Sequence, residues 1–330
     1  MQNPKKLNPK KLKSEKFVLN ENDLKNSWDL IQKSEKIALL THRNPDGDAI
    51  GSCFALDKFL KKFDKKTEII YPTEPEFEYK RYAKQFLVDK HSQTPDLIIC
   101  CDTATFDRLY WPKEFSEIPL INIDHHISST INGKFNFIEG DVSSASELLF
   151  FVLSEWDFES IDINIAEDLL FGIMSDSQAF HTKATTAQTF RVVANLVDLG
   201  ANMFQIKNEI FSNKSSDVIK LWEFLFKRIE IDKNKKAVWS YLTQEDLKSL
   251  NLQLNATVGF INFLSEVSDI DVSMFFYETD EGESKVSLRS KEYDVNKLAS
   301  KFGGGGHINA AGILSDKSLQ KLIEEVVEVI

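Results

Sequence analysis

Short apolar runs alternate with helical stripes through the first two thirds of the chain. Leu24, Trp28 and Ile31 recur at helical spacing and predict a helix over 21–33. Lys36 to Thr41 is short and apolar and reads as a buried strand. It runs into His42-Arg43-Asn44-Pro45-Asp46-Gly47-Asp48, which Pro45 and Gly47 make a loop. A helix is expected over Ala49 to Phe63, then strands over Thr67 to Tyr71, Leu97 to Cys101 and Ile121 to Ile123. Helices follow over Ser144 to Ser154, Ile165 to Met174 and Thr186 to Leu199, the last stopped by Gly200. Ser144 and Glu147 have the spacing of a capping box. Strands alternating with helices imply right-handed crossovers and a parallel sheet.

The pattern changes near residue 205. Ile219, Leu221, Trp222, Leu225 and Phe226 predict a connecting helix. Two hairpins are expected after it, over 229–242 and 271–289. A short helix over Asn296 to Phe302, a glycine run and an apolar stretch over Ile308 to Ile313 come next. An amphipathic helix over Leu319 to Ile330 closes the chain. The fold class expected is α/β: a parallel-sheet domain joined by a helical linker to a smaller mixed α+β domain. The divisions are a flexible basic tail (1–16), a parallel α/β domain (17–204), a helical linker (205–229) and a smaller mixed α+β domain (230–330).

The length of 330 residues agrees with two domains. The longest strongly apolar run, Leu148 to Leu153, is far short of the ~20 residues that span a bilayer. A net charge of −11 argues against non-specific binding of long nucleic acid, though not against a small phosphorylated ligand met through cations. Cys53, Cys100 and Cys101 read as small core residues in a reducing compartment. The first sixteen residues carry six lysines and no apolar core of a secretory signal, so a cytoplasmic location is expected.

Acids and imidazoles collect where strands end. His42, Asp46 and Asp48 follow the first strand, Asp102 closes a later one, and Asp124, His125 and His126 close another. Asp176 ends an apolar helix. In open α/β sheets, ligands gather outside the carboxyl ends of the strands. Imidazole nitrogen with carboxylate oxygen suits Mn²⁺, Mg²⁺, Fe²⁺ or Zn²⁺, and no cysteine belongs to the set. Without cations the packed acids would repel one another, and two divalent ions relieve that repulsion. Two ions ~3.5–4 Å apart can activate a water for in-line attack on phosphorus. Gly303, Gly304, Gly305 and Gly306, followed by His307, offer backbone amides that can cradle a phosphate. Arg289 can pair with a phosphate, and His181, just beyond Asp176, is a candidate substrate contact. His91 reads as a surface residue.

These motifs together resemble the DHH phosphoesterase family, in its DHH-DHHA1 form. The stretch Thr41 to Gly51 looks like the first motif, Asp102 the second, Asp124-His125-His126 the third and Asp176 the fourth. Gly303 to His307 with Asn309-Ala310-Ala311-Gly312 resembles the DHHA1 signature. The layout is similar to the compact group that degrades very short oligoribonucleotides and removes the 3′-phosphate of phosphoadenosine phosphate. The resemblance implies two divalent cations, Mn²⁺ with Mg²⁺ as the alternative. One would take His42, Asp46 and Asp102; the other Asp48, Asp102, His125 and Asp176, with Asp102 as the bridge. It also implies that His126 touches the scissile phosphate, that Asp124 orients an imidazole, and that Arg289, the glycine run and His307 hold the nucleotide.

One stretch departs from the group. Where members often read Thr-Gly-x-Phe-Arg, this chain reads Ser177-Gln178-Ala179-Phe180-His181. The expected partner is short RNA or a small nucleotide, with a homo-oligomer left open. A cyclic or linear dinucleotide phosphodiesterase is the nearest alternative activity. A nucleotide-binding regulator without turnover is the alternative of another class.

Overall fold

A computed structural model describes residues 17–75, 85–211, 216–257 and 259–330. The chain divides into two compact units, one ending at Asn213 and the other beginning at Lys214. The first contains strands β1 (Lys36–Leu40), β2 (Lys66–Tyr71), β3 (Leu87–Val88), β4 (Leu97–Cys101), β5 (Leu120–Asp124) and β6 (Phe135–Ile138). They form one sheet in the order β3-β2-β1-β4-β5-β6, and every neighbouring pair is parallel. Its helices are α1 (Glu21–Lys33), α2 (Gly47–Lys61), α3 (Ala145–Asp157), α4 (Ile163–Asp176), α5 (Ala187–Asp198) and α6 (Met203–Phe211).

The near-continuous apolar strands are explained by burial on both faces. Ile37, Leu39, Leu97 and Ile99 join the core that contains α2, α3 and α4. The alternating Ala38, Leu40, Ile98 and Cys100 join a second core with Phe115 and Ile131. Cys53, Cys100 and Cys101 are buried and unbridged, as small core residues. Strand order reverses at β1, with β2 on one side and β4 on the other. That reversal point is where an open sheet leaves a crevice at the carboxyl ends of its strands. His42 follows β1 closely and Asp102 follows β4 directly.

Helices α2 and α4 approach closely because Gly51 faces Gly172. A Cβ built on Gly51 would stand 2.8 Å from the Gly172 amide nitrogen. The sequence pattern did not predict β3 or β6. Two residues are too few to show a period, and β6 exposes both Asn136 and Ile138.

The second unit holds β7 (Glu230–Asp232), β8 (Ala237–Leu242), β9 (Val272–Glu278), β10 (Ser284–Ser290), β11 (Gly305–His307) and β12 (Ala310–Ser315). Their order is β11-β12-β10-β9-β8-β7. All pairs are antiparallel except β8 with β9, which makes the sheet mixed. Helices α7 (Ser216–Phe226), α8 (Gln244–Leu250), α9 (Phe260–Ser265), α10 (Val295–Ser300) and α11 (Leu319–Val329) complete it. The parallel β8–β9 step needs a crossover, and the short α8 and α9, not predicted from the pattern, lie along it.

The residues expected to form a linker divide between the units, since α6 precedes the division and α7 follows it. The basic tail, residues 1–16, and residues 212–215 of the expected linker lie outside the described residues.

Candidate metal centre

Four loops and helix ends of the first unit bring the expected acids and imidazoles together. Three groups have ligand atoms all within 4.8 Å of one another: His42 with Asp46 and Asp102, Asp48 with His125 and Asp176, and Asp102 with His125 and His126. Asp102 therefore faces both of the others. One of its oxygens lies 3.6 Å from His42 Nε2, and the second lies 3.4 Å from His125 Nε2 and 3.7 Å from His126 Nδ1. Its φ of +52° places it in the left-handed region that non-glycine residues seldom adopt. Strain of this kind persists where the surroundings over-determine it, often at functional sites.

Each of the other acids has a local reason for its position. Asp46 caps α2: one oxygen accepts from the amides of Asp48 and Ala49 at 3.0 and 3.1 Å. The other lies 3.9 Å from His42 Nε2. Asp48 is buried in the first turn of α2, and its two oxygens accept from the amides of Ala145 (2.6 Å) and Ser146 (2.9 Å). It thus sits on the amino end of α3, where helix amides and dipole favour an anion. Asp176 ends α4, with an oxygen 3.7 Å from His125 Nε2. Asp124 ends β5 and accepts from His126 Nδ1 at 2.8 Å and from the His126 amide at 3.2 Å, which fixes that ring.

The imidazoles are oriented from behind. His42 Nδ1 lies 2.8 Å from the carbonyl of Arg43 and 2.9 Å from Arg108 Nη2, two contacts that fix the ring. Nε2 is thereby turned toward Asp46 and Asp102. Arg108 Nη2, 3.3 Å from the same carbonyl, donates to it as well. Arg108 was invisible in the sequence, where it is one arginine in a loop.

The ends of α3 also differ from expectation. Ser144 Oγ accepts from the Glu147 amide at 3.0 Å, but the return half of the capping box is absent. Instead the buried Glu147 carboxylate accepts from the amide and hydroxyl of Ser143 and from the hydroxyl of Thr189. The run of small residues Ser143 to Ser146 was the available signal for this anion-binding turn.

Crowded acids and imidazoles shift one another. Burial and the charges of Asp102 and Asp176 push Asp48 well above the usual carboxylate range. Burial, with Asp102 and Asp46 nearby, raises Asp176 to about 7 against the opposing pull of His125. Burial alone would lower His125, but the adjacent Asp102 carboxylate and the acids around it hold it up at about 10. Burial works against the Asp102 charge too, yet His125 and His42 keep it well below its ordinary value. Asp102 Oδ1 and Asp124 Oδ2 are buried with no hydrogen-bond partner among the described residues. A buried, unsatisfied carboxylate oxygen is costly, and a cation satisfies it. The donor set, all nitrogen and oxygen, fits divalent ions.

Residues 36–173 match the DHH family, N-terminal domain, and residues 234–330 match the DHHA1 domain. The chain therefore carries a DHH domain followed by a DHHA1 domain. It is 28% identical to the bifunctional oligoribonuclease and PAP phosphatase NrnA of Bacillus subtilis (strain 168), over 84% of this chain and 88% of that one. It is 29% identical to a probable NrnA of Streptococcus mutans, over 86% of this chain and 90% of that one. The crystal structure of an exopolyphosphatase-related protein from Bacteroides fragilis superposes with a TM-score of 0.86 at 25% identity, covering 94% of this chain and 97% of that one.

The remaining candidates of this DHH-DHHA1 chain occupy their own local settings. His181 is exposed beyond Asp176, its Nδ1 2.9 Å from the carbonyls of Gln178 and Ala179. Gln178, Ala179 and Phe180 all have positive φ, so the departure from the group coincides with a tight left-handed turn. Arg289 lies on β10, half-buried, its pKa lowered by that burial, and donates to the Leu288 carbonyl at 3.0 Å.

The glycine run ends in a strand. Gly305, Gly306 and His307 form β11 and pair with Gly312, Ala311 and Ala310. At Gly304 and Gly306 an added Cβ would overlap the backbone of β12. These two are glycines for strand packing, whereas Gly303 and Gly305 have space above them. His91 is not free on the surface: its Nδ1 is 2.8 Å from the Tyr110 hydroxyl.

Proposed function

We propose that this chain is a two-cation phosphoesterase. It hydrolyses short oligoribonucleotides, the 3′-phosphate of phosphoadenosine phosphate, or both. The observation that carries the reading is Asp102, whose two oxygens face the His42 side and the His125 side of the site. The NrnA relatives, similar over most of their length, support the substrate class. His42, Asp46 and Asp102 would hold one ion, and Asp48, Asp102, His125 and Asp176 the other, with Mn²⁺ preferred over Mg²⁺ because imidazole shares the site. When bound, the pair supplies a water acidic enough to attack phosphorus at neutral pH and neutralises the phosphate oxygens.

The chain's own residues do the rest. His126, fixed by Asp124, is placed to hydrogen-bond a phosphate oxygen as charge develops. Arg108 and the Arg43 carbonyl hold the His42 ring in one orientation. Arg289 keeps its charge when partly desolvated and is the second unit's candidate phosphate contact, with Gly303, Gly305 and His307. His181 would meet the substrate where related chains place arginine. The cytoplasm suits the three unbridged cysteines.

The deciding experiment measures product from phosphoadenosine phosphate, a short RNA, a cyclic dinucleotide and pyrophosphate, each with Mn²⁺ and with chelator. Mn²⁺-dependent release from either of the first two supports the reading. Turnover confined to the cyclic dinucleotide or to pyrophosphate replaces it. No turnover with two ions bound favours a nucleotide-binding regulator.

A further inference from the structure

A cavity of about 470 Å³ opens among the loops that follow β1 to β4, lined by Arg43, Thr73, Asp89, Leu109, Tyr110 and Trp111. None of these belongs to a cation group. The volume lies within the ~300–1,000 Å³ of small-ligand sites. Its location is tied to the metal centre through the chain: Arg43 follows His42, and Leu109 follows Arg108, whose Nη2 is 2.9 Å from His42 Nδ1.

The walls are built rather than incidental. His91 Nδ1 holds the Tyr110 hydroxyl at 2.8 Å, and the same imidazole packs on Phe115 with ring centres 5.0 Å apart. Trp111 is braced by Phe106 and Phe115, with ring centres 4.7 and 5.9 Å away. The Arg43 amide donates to the Arg108 carbonyl at 2.8 Å. Next to it, the Asn44 amide donates to Thr73 Oγ1 at 2.8 Å, and that hydroxyl donates to Asn44 Oδ1 at 2.9 Å. The result is a fixed pocket with aromatic walls and a guanidinium, a hydroxyl and a carboxylate among its lining groups.

We propose that this cavity is a nucleobase subsite, holding the base of a nucleotide whose phosphate reaches the neighbouring cation groups. Three observations select a base over an aliphatic ligand. Tyr110 and Trp111 offer π-faces, on which any base can stack. Thr73 and Asp89 can bond the polar edge of a base, which an acyl chain lacks. Arg43, exposed and next to His42, can pair with a phosphate on the way to the cations. The subsite rests on the phosphoesterase reading above, and it would give the first unit a contact that nucleotides make and inorganic phosphates lack.

Calorimetric titration of the full chain with adenosine monophosphate in chelator tests the cavity apart from turnover. Trp111→Leu keeps apolar bulk and removes the largest stacking face. It is expected to weaken binding about five- to 150-fold, the range for loss of one base–aromatic stack. Trp111→Phe should restore most of the affinity. Arg43→Glu, at an exposed position, should weaken it without touching a core. In turnover assays, Trp111→Leu should raise KM for a diadenylate while leaving an analogue that lacks the bases unchanged. Binding that depends on Trp111 in a protein that hydrolyses no nucleotide would keep the subsite and remove the phosphoesterase reading. Absence of binding by the wild-type chain, or equal affinity in all three variants, overturns the subsite.

Discussion

Replacing Asp102 by asparagine separates charge from shape. Asparagine has nearly the same volume and also tolerates the left-handed backbone that Asp102 adopts at φ +52°. The variant should therefore fold, whereas Asp102→Ala would add backbone strain to the loss of charge. The metal groups contain the carboxylates of Asp46, Asp48, Asp102 and Asp176. Those four negative charges match the four positive charges of two divalent ions. Asparagine leaves one positive charge unmatched, at the position shared by both ions. A unit charge pair ~4 Å apart at an effective dielectric of ~20 is worth ~4 kcal/mol, or roughly a thousandfold in affinity. Equilibrium dialysis against Mn²⁺, with bound metal counted by mass spectrometry, reads this directly. Asp102→Asn should hold fewer than two ions per chain at concentrations that saturate the wild type, and hydrolysis should fall by a similar factor. A variant with two ions, wild-type affinity and wild-type turnover would refute the bridging assignment.

Three other outcomes are expected. Gly172→Ala places a Cβ into Ser146 Oγ and 2.8 Å from Asp48 Oδ1, so it should cost ~1–3 kcal/mol in urea unfolding and weaken Mn²⁺ binding; a change in neither shows that α4 yields without moving Asp48. Arg228 Nη1 lies 2.6 Å from Asp246 Oδ2, and although burial opposes it, the bonds to Arg228 and Thr243 keep Asp246 below 3.8. Because the folded value is the lower one, this stabilisation is fully present above pH 3.8 and is lost as pH falls from there through the folded value; Arg228→Ala should lower Tm at neutral pH and flatten that acid limb, and an unchanged limb would count against the pair. His181→Arg places a permanent cation beyond Asp176 and should lower KM for a short RNA, whereas an unaltered KM places the turn at Gln178 to Phe180 away from substrate.

The parallel sheet was legible because burial on both faces leaves an apolar run with an abrupt polar end. Leu97 to Cys101, closed by Asp102, shows both halves of that signal. The clustered acids and imidazoles were legible for the same reason, since they follow such ends. What was not legible has little local signature. β3 is too short for any periodicity, and β11 carries two glycines in place of a β-forming pattern. Arg108 and His91 act through partners distant in sequence, His42 and Tyr110. Glu147 had the right spacing for a local cap, but its carboxylate found better donors in Ser143 and in Thr189 on another helix. Local spacing cannot foresee a competitor supplied by tertiary packing.

Asp46 and Asp48 each spend oxygen lone pairs on the backbone amides that start α2 and α3. Genetic drift would therefore treat them differently from Asp176 and His125, which have no hydrogen bond to the main chain among the described residues. In a descendant released from selection for turnover, Asp46 and Asp48 would still be retained, because their loss would unseat two helices. Asp176 and His125 would decay first. A lineage that has abandoned hydrolysis would thus keep the opening motif and lose the later ones, leaving a recognisable fossil of the site.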